Sequence, residues 1–410
     1  MTHVAGHTLR FALGWLLISM GAAHAVDELN TITDFETLRR TGMLIMPGEI
    51  DSSKTNLLID TGATTTYLDI TLEARVAKNR TKTPVRITTG SATERGWKYA
   101  SVPVFIRGLE SRSVDAIPGD LSGLRELVGG VDVRGVAGMT YLRNSCLTSE
   151  GGLVRLTDTK TKAAMNPGNM AYRMTTNVAG CPSIPVNFPV LGDRDALIDT
   201  GYQDFLGISE SHANALIRSG NAVQLSVVRI LTASGVVEQQ LLAIRELTVC
   251  GVKYHNIPAV MGTTTKLGLE FVRSRDMVIN FQTMTLTMLV QSEGVRAFPV
   301  DASGIRFFWK DNAYYVRRIE DESPASIAGI RTGDRLIRID GNPLQATAIW
   351  DIREKLSASG SSVKLDLARG DQEFTLQMPL AYGFEYPPQW KPVSNEADEF
   401  FNALKEQSND

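Results

Sequence analysis

Between Met43 and Met288 the apolar residues come in short alternating or β-branched runs, with Gly, Pro, Asn and Asp falling between them. The runs at 56–59, 102–106, 226–231 and 276–281 are examples. A period of two, cut every few residues by turn formers, predicts half-buried strands and an all-β region. Helical spacing is confined there to two brief stretches, 71–78 and 210–218, each after a polar residue able to cap it. From about Arg296 the pattern changes. Ser323-Pro324-Ala325 predicts a short helix with proline in its first turn and Gly329 past its end. Residues 335–339, 363–367 and 374–378 alternate as strands, and 348–356 places Ile349, Ile352 and Leu356 on one helical face. After a linker near Pro388, residues 395–407 predict a last short helix with Phe400, Phe401 and Leu404 as its apolar patch.

The N-terminus follows neither pattern. Arg10 precedes a dozen mostly apolar residues, 11–22, and Ala23-His24-Ala25 supplies the small-x-small pattern of signal cleavage. That run is too short to cross a hydrocarbon layer of about 30 Å as a helix. The expectation is a signal peptide over 1–25, a mature chain from Val26, a periplasmic or secreted location and no stable membrane span after cleavage.

At 410 residues the chain is long enough for several domains, and 43% hydrophobic against 21% charged residues suits buried cores. A formal net charge of −3 offers no basic excess for nucleic acid. Past the signal segment only His212 and His255 remain, and no C-x-x-C occurs, so no metal site and no cofactor is expected. G-x-S-x-G, H-E-x-x-H, G-K-[ST] and G-x-G-x-x-G are all missing. Cys146, Cys181 and Cys250 allow at most one disulfide. Cys146 with Cys181, flanking the link between two repeats, is the favoured pair, and Cys250 reads as a buried thiol.

Those repeats carry the chemistry. Leu57-Leu-Ile-Asp60-Thr61-Gly62-Ala63 recurs as Ala196-Leu-Ile-Asp199-Thr200-Gly201-Tyr202. A second word follows each at a similar distance, Val136-Ala137-Gly138 and then Lys266-Leu267-Gly268. A lone Asp-Thr-Gly is an ordinary turn. Two copies, each after an apolar strand and in step with the same downstream word, indicate a duplicated module with one carboxyl from each copy. Two carboxyls a few ångströms apart share one proton, so that one can take a proton from water while the other donates to a carbonyl oxygen. Which is acid and which is base stays open at this level.

Over about Met43–Met288 this pattern resembles the aspartic peptidases, in particular the retropepsin-like branch in a single-chain, two-lobed form. The resemblance implies a mainly β chain of two β-barrel lobes, residues 26–165 and 166–295, that form one cleft. It implies Asp60 and Asp199 as the catalytic pair and Thr61 and Thr200 as the residues tying the lobes together. Gly62 and Gly201 would let the loops approach the carboxylates, and Gly138 and Gly268 would close the crossing strands. Thr89, Gly90 and Ser91 would form a flap. Lys266, where an apolar residue is usual, and Tyr202, where a small one is usual, depart from the family pattern. The string from Ser323 to Gly341 resembles the core of PDZ domains, which implies a small β-barrel with two helices over 296–385, followed by a tail, 386–410. Its peptide-binding loop would be Gly304-Ile305-Arg306-Phe307, with Arg306 replacing the usual second glycine. The expected activity is that of an exported aspartic endopeptidase acting on polypeptides, with the PDZ domain recruiting substrate, holding a C-terminus or regulating. The alternative is a non-catalytic protein that holds peptides in the cleft and the PDZ groove.

Overall fold

The computed structural model describes residues 40–89, 92–150, 153–159, 170–232, 235–289, 301–344, 348–357 and 360–380. The signal segment, the flap tip at Gly90 and Ser91 and the terminal helix at 395–407 lie outside the described residues. The first repeat folds as β1 (Ile45–Ile50), β2 (Ser53–Ile59), β3 (Thr66–Asp69), β4 (Arg80–Thr89), β5 (Ala92–Ile106), β6 (Arg112–Gly119) and β7 (Val133–Ala137). These join in the order β1-β2-β7-β3-β6-β5-β4, and β5 also pairs with β1. Six strands therefore close on themselves, which removes the free edges of an open sheet, while β4 extends from β5 as a long hairpin.

Three strands then leave the barrel: β8 (Ser145–Glu150), β9 (Leu153–Asp158) and β10 (Met170–Arg173). The second repeat forms β11 (Thr175–Thr176), β12 (Pro182–Phe188), β13 (Gly192–Ile198), β14 (Leu206–Ser209), β15 (Ala222–Thr232), β16 (Gly235–Val249), β17 (Val252–Gly262) and β18 (Lys266–Leu267). Their order is β11-β12-β13-β18-β14-β17-β16-β15, and β12 also meets β16, so a second ring of six closes. The chain continues into β19 (Met277–Asn280) and β20 (Thr285–Met288). These complete a sheet β10-β20-β19-β8-β9 to which both repeats contribute. One continuous core runs through both barrels and this shared sheet. Each fully buried Leu, Ile or Val in it contributes about 1.5–3 kcal/mol.

The alternation of the sequence is visible in burial: β12 turns Ser183-Pro185-Asn187 and Ile184-Val186-Phe188 to opposite faces, and the second set is fully buried. The brief helical stretch at 71–78 is one α turn, Glu73–Val76, between 3-10 turns, whereas Glu210–Arg218 is a regular helix. Asp69 starts the former, its Oδ1 accepting the Thr71 N–H at 3.0 Å. Its Oδ2 accepts from Arg125 at 2.5 Å, which compensates a fully buried carboxylate.

The C-terminal unit has its own core and one sheet, of β21 (Ile305–Lys310), β22 (Ala313–Ile319), β23 (Arg335–Ile339), β24 (Asn342–Pro343), β25 (Ser362–Arg369) and β26 (Gln372–Pro379). Ser323 caps the helix Pro324–Ile327, accepting the Ser326 N–H at 3.2 Å. The helix Ile349–Lys355 buries Ile349 and Ile352, with Leu356 just past its end.

The favoured disulfide is absent: Cys146, Cys181 and Cys250 are all free and buried. Cys146 lies in β8, opposite Asn280 and Thr157, whereas Cys181 lies against the first Asp-Thr-Gly loop. Flanking a connection in sequence does not bring the two thiols together.

Candidate active site

Asp60 and Asp199 each stand one residue beyond a strand that runs parallel to a central crossing strand. Ile59 of β2 lies beside Ala137 of β7, and Ile198 of β13 beside Leu267 of β18. The Asp60 N–H donates to the Ala137 carbonyl at 3.1 Å and the Asp199 N–H to the Leu267 carbonyl at 2.9 Å. The downstream words thus act as platforms on which the two loops end.

Glycine is required for that arrangement. A Cβ on Gly138 would fall 2.4 Å from the Thr65 carbonyl oxygen, and one on Gly268 would fall 2.0 Å from that of Asp204. A Cβ on Gly62 would lie 2.6 Å from the Asp199 carboxyl, and one on Gly201 would lie 2.6 Å from the Asp60 carboxyl. Each loop therefore packs against the carboxyl of the other lobe.

Thr61 and Thr200 hold that packing. The Thr61 hydroxyl donates to the Ile198 carbonyl at 2.6 Å, and the Thr200 hydroxyl to the Ile59 carbonyl at 2.7 Å. Each hydroxyl also accepts the other threonine's N–H, at 3.1 Å. Four hydrogen bonds between buried groups thus cross the pseudo-twofold axis.

The carboxyls themselves come within hydrogen-bonding reach of each other. Their surroundings differ. Asp60 Oδ1 accepts two backbone N–H groups, from Gly62 at 2.8 Å and Ala63 at 3.1 Å. Asp199 Oδ1 accepts the Gly201 N–H at 3.1 Å, and its Oδ2 accepts from Lys266 Nζ at 2.9 Å. Burial and then the charge of Asp199 raise the Asp60 pKa to about 7, against the pull of the Gly62 N–H and Lys266. Tyr67 and Cys181 lie close enough to feel Asp60, and burial raises both of their pKa values. Cys181 Sγ donates to the Gly62 carbonyl at 3.4 Å and touches Thr64 Oγ1 at 3.5 Å. It comes from a segment far away in sequence, and no local pattern points to it.

The two departures from the family pattern meet. Lys266 Nζ lies 4.4 Å from the Tyr202 ring centre, on the aromatic face, while the Tyr202 hydroxyl donates to the Leu206 carbonyl at 3.3 Å. The Tyr202 N–H donates to the Asp199 carbonyl at 3.1 Å, as that of Ala63 does to the Asp60 carbonyl at 3.3 Å. Ala63 also donates to its aspartate's Oδ1, a bond that has no counterpart at Asp199 among the described residues.

Of the flap residues, Thr89 ends β4 opposite Ala92. Trp97 and Tyr99, farther along β5, pack: Arg80 stacks on Trp97 at 3.7 Å, and the buried Tyr99 donates to Glu73 at 2.5 Å. His212 is satisfied by Thr265 Oγ1 at 2.9 Å. No cluster of metal-binding side chains occurs among the described residues.

The PDZ loop is less open than the sequence implies. The Gly304 N–H donates to Asp301 Oδ2 and the Ile305 N–H to Ser303 Oγ, both at 3.0 Å, so two of its donors are already satisfied. Arg306 lies toward Tyr202 of the peptidase unit, and Phe307 lines a cavity between the units, together with Thr41, Leu127 and Gln203.

Two barrels joined by threonines around a carboxyl pair define an aspartic-dyad fold. Residues 46–141 match the family model described as an aspartyl protease, and residues 315–369 match that of the PDZ domain. The aspartic proteinase from Irpex lacteus is a solved structure to which the chain is similar, at 15% identity and a TM-score of 0.39, covering 65% of this chain and 97% of that one. The chain thus carries a retropepsin-like unit followed by a PDZ domain.

Proposed function

We propose that the protein is an exported aspartic endopeptidase that hydrolyses peptide bonds with a water activated between Asp60 and Asp199. The observation that carries this reading is the meeting of two carboxyls from separate lobes, held there by the reciprocal threonine bonds. The ionised carboxyl takes a proton from the water as its oxygen attacks the carbonyl carbon. The protonated carboxyl donates to the carbonyl oxygen, giving a tetrahedral diol. Collapse of the diol breaks the C–N bond. The departing nitrogen takes the proton drawn from water, and a diol hydroxyl returns one to the other carboxyl, so the pair ends as it began.

Substrates on this reading are extended polypeptides, which the β4–β5 hairpin would cover after entry. The PDZ domain then acts in regulation or recruitment, and its packing against the peptidase unit supports regulation.

The test is digestion of an unfolded protein across a pH series, with and without a statine-type inhibitor. Cleavage that the inhibitor stops, and that both Asp60→Asn and Asp199→Asn abolish, is the expected result. Cleavage that survives in both variants would refute the assignment.

A further inference from the structure

We infer that Lys266 is a positioning residue that fixes the charge of the pair, holding Asp199 as the ionised base and leaving Asp60 as the proton donor. The inference rests on the peptidase reading for its catalytic meaning, although the charge assignment stands on geometry alone.

The two halves of the site differ at one register position. In the first lobe Val136 of β7 lies opposite Tyr67 of β3, and in the second Lys266 of β18 lies opposite Gly207 of β14. A Cβ on Gly207 would fall 2.8 Å from Lys266 Cγ, so the missing side chain leaves room for the lysine stem. The ammonium then reaches Asp199 Oδ2 at 2.9 Å while resting on the ring of Tyr202. Tyr67 of the first lobe thus stands at the register position of Gly207 in the second, where the ring beside Lys266 is that of Tyr202. Glycine, lysine and tyrosine form one arrangement, aimed at one oxygen of one aspartate.

Its consequence is asymmetry. A cation on Asp199 and none at the matching place beside Asp60 places the negative charge on Asp199. The N–H donors are divided the other way, two to Asp60 and one to Asp199, but a full charge at contact distance outweighs one additional neutral donor. The other titratable groups facing the pair are Tyr67 and Cys181 on the Asp60 side and Tyr202 on the Asp199 side, with Asp204 and Arg306 beyond it. None of these places a cation against Asp60.

Both ionisations of the pair should respond to the loss of Lys266, because its charge favours every deprotonated form. The first should respond more, because that charge touches Asp199 directly. The experiment compares wild type, Lys266→Met and Lys266→Arg by 13C NMR titration of γ-labelled aspartate and by the pH profile of kcat/KM on a quenched-fluorescence peptide pool. In Lys266→Met the lower titration of the pair and the acid limb of the profile should both move up by about one to three pH units. On the acid flank, activity should fall at least tenfold, and Lys266→Arg should restore the wild-type positions. A lower titration that stays in place in Lys266→Met, or that moves equally in Lys266→Arg, overturns the inference. Carboxyl titrations that shift as expected in a protein that cleaves nothing uphold the charge assignment and refute the peptidase reading. An active enzyme with unshifted limbs does the reverse.

Discussion

Thr61 and Thr200 bond each other from opposite lobes, each hydroxyl accepting the partner's N–H while it donates to the carbonyl that precedes the partner's aspartate. The lobes are thereby joined at the residues that follow the two carboxyls, so their separation is set by four short bonds and not by the shape of the distant sheets.

Thr61→Val and Thr200→Val keep the volume and remove the hydroxyl. Each leaves a buried carbonyl without its donor and a buried N–H without its acceptor, at a cost of about 1–3 kcal/mol for each orphaned group. Each substitution removes its own two of the four bonds, so both singles should cost stability and the double variant should lose more than either. Denaturant unfolding of the two singles and the double measures this, and a single substitution that costs nothing would contradict the reciprocal arrangement.

The raised pKa of Asp60 has a consequence for stability. Its folded pKa of about 7 stands above the ordinary aspartate value of 3.8, so between those values the folded chain holds a proton that the unfolded chain releases. Stability therefore falls as pH rises through that window and levels off above it. Asp60→Asn has no such proton to lose. The variant should gain on wild type steadily from about pH 4 to pH 7, with no further gain beyond. Thermal melts of both proteins across pH 3.5 to 8 check this, and a variant that gains nothing on wild type between pH 4 and pH 7 would refute it.

Asp334 gives the opposite sign. Its carboxylate is almost fully buried, and it accepts from Arg369 Nε and Nη2 and from the Arg331 N–H, each at 2.8 Å. Burial alone would raise its pKa, but these bonds overcome that and hold it below the ordinary value. A lowered folded pKa means stability that is present above about pH 4 and lost as the carboxylate protonates in more acid solution. Asp334→Asn should lose about 2 kcal/mol of PDZ stability at pH 7, and the gap to wild type should narrow as the pH falls below about 4. Urea titrations followed by Trp309 and Trp350 fluorescence provide the measurement.

Much of this architecture was written locally. Short alternating runs become the strands of two barrels, and the repeated Asp-Thr-Gly with its downstream glycine marks the centre, because loop, platform and carboxyl all depend on residues within one word. The tie through Thr61 and Thr200 was legible only through resemblance, since it joins groups far apart along the chain. Lys266 was visible as a misfit but not as a partner of Asp199: its contact depends on the empty space at Gly207 and the ring at Tyr202, which no single segment contains. Cys181 left no trace, and its neighbour Gly62 belongs to the other repeat. The cysteine pairing failed for the same reason, because closeness to a connection says nothing about the direction of a side chain.

The PDZ domain's edge strand is where the two units constrain each other. β21 ends its sheet, and the positive φ angles of Asp311 and Asn312 form a two-residue turn that pairs Lys310 with Ala313. In that register the Trp309 carbonyl points away from β22, toward the side where an added peptide strand would bond. Gly129 of the first lobe occupies that place: a Cβ there would fall 1.4 Å from the Trp309 oxygen. Arg40 stacks on the Trp309 ring at 3.8 Å, and on the helix side Arg273 stacks on Trp350 at 3.6 Å while Arg353 reaches Glu270 at 3.8 Å. A peptide adding to β21 at Trp309 must therefore displace the first lobe. Gly129→Val both clashes with that carbonyl and strains a backbone at φ 70°, so the units should separate. Trp350→Ala should loosen the same contact without touching β21. Small-angle scattering should show a larger radius of gyration for both variants, and hydrogen exchange should show faster exchange in residues 305–310. An unchanged radius and unchanged exchange in both would mean that the edge of β21 is not held by the peptidase unit.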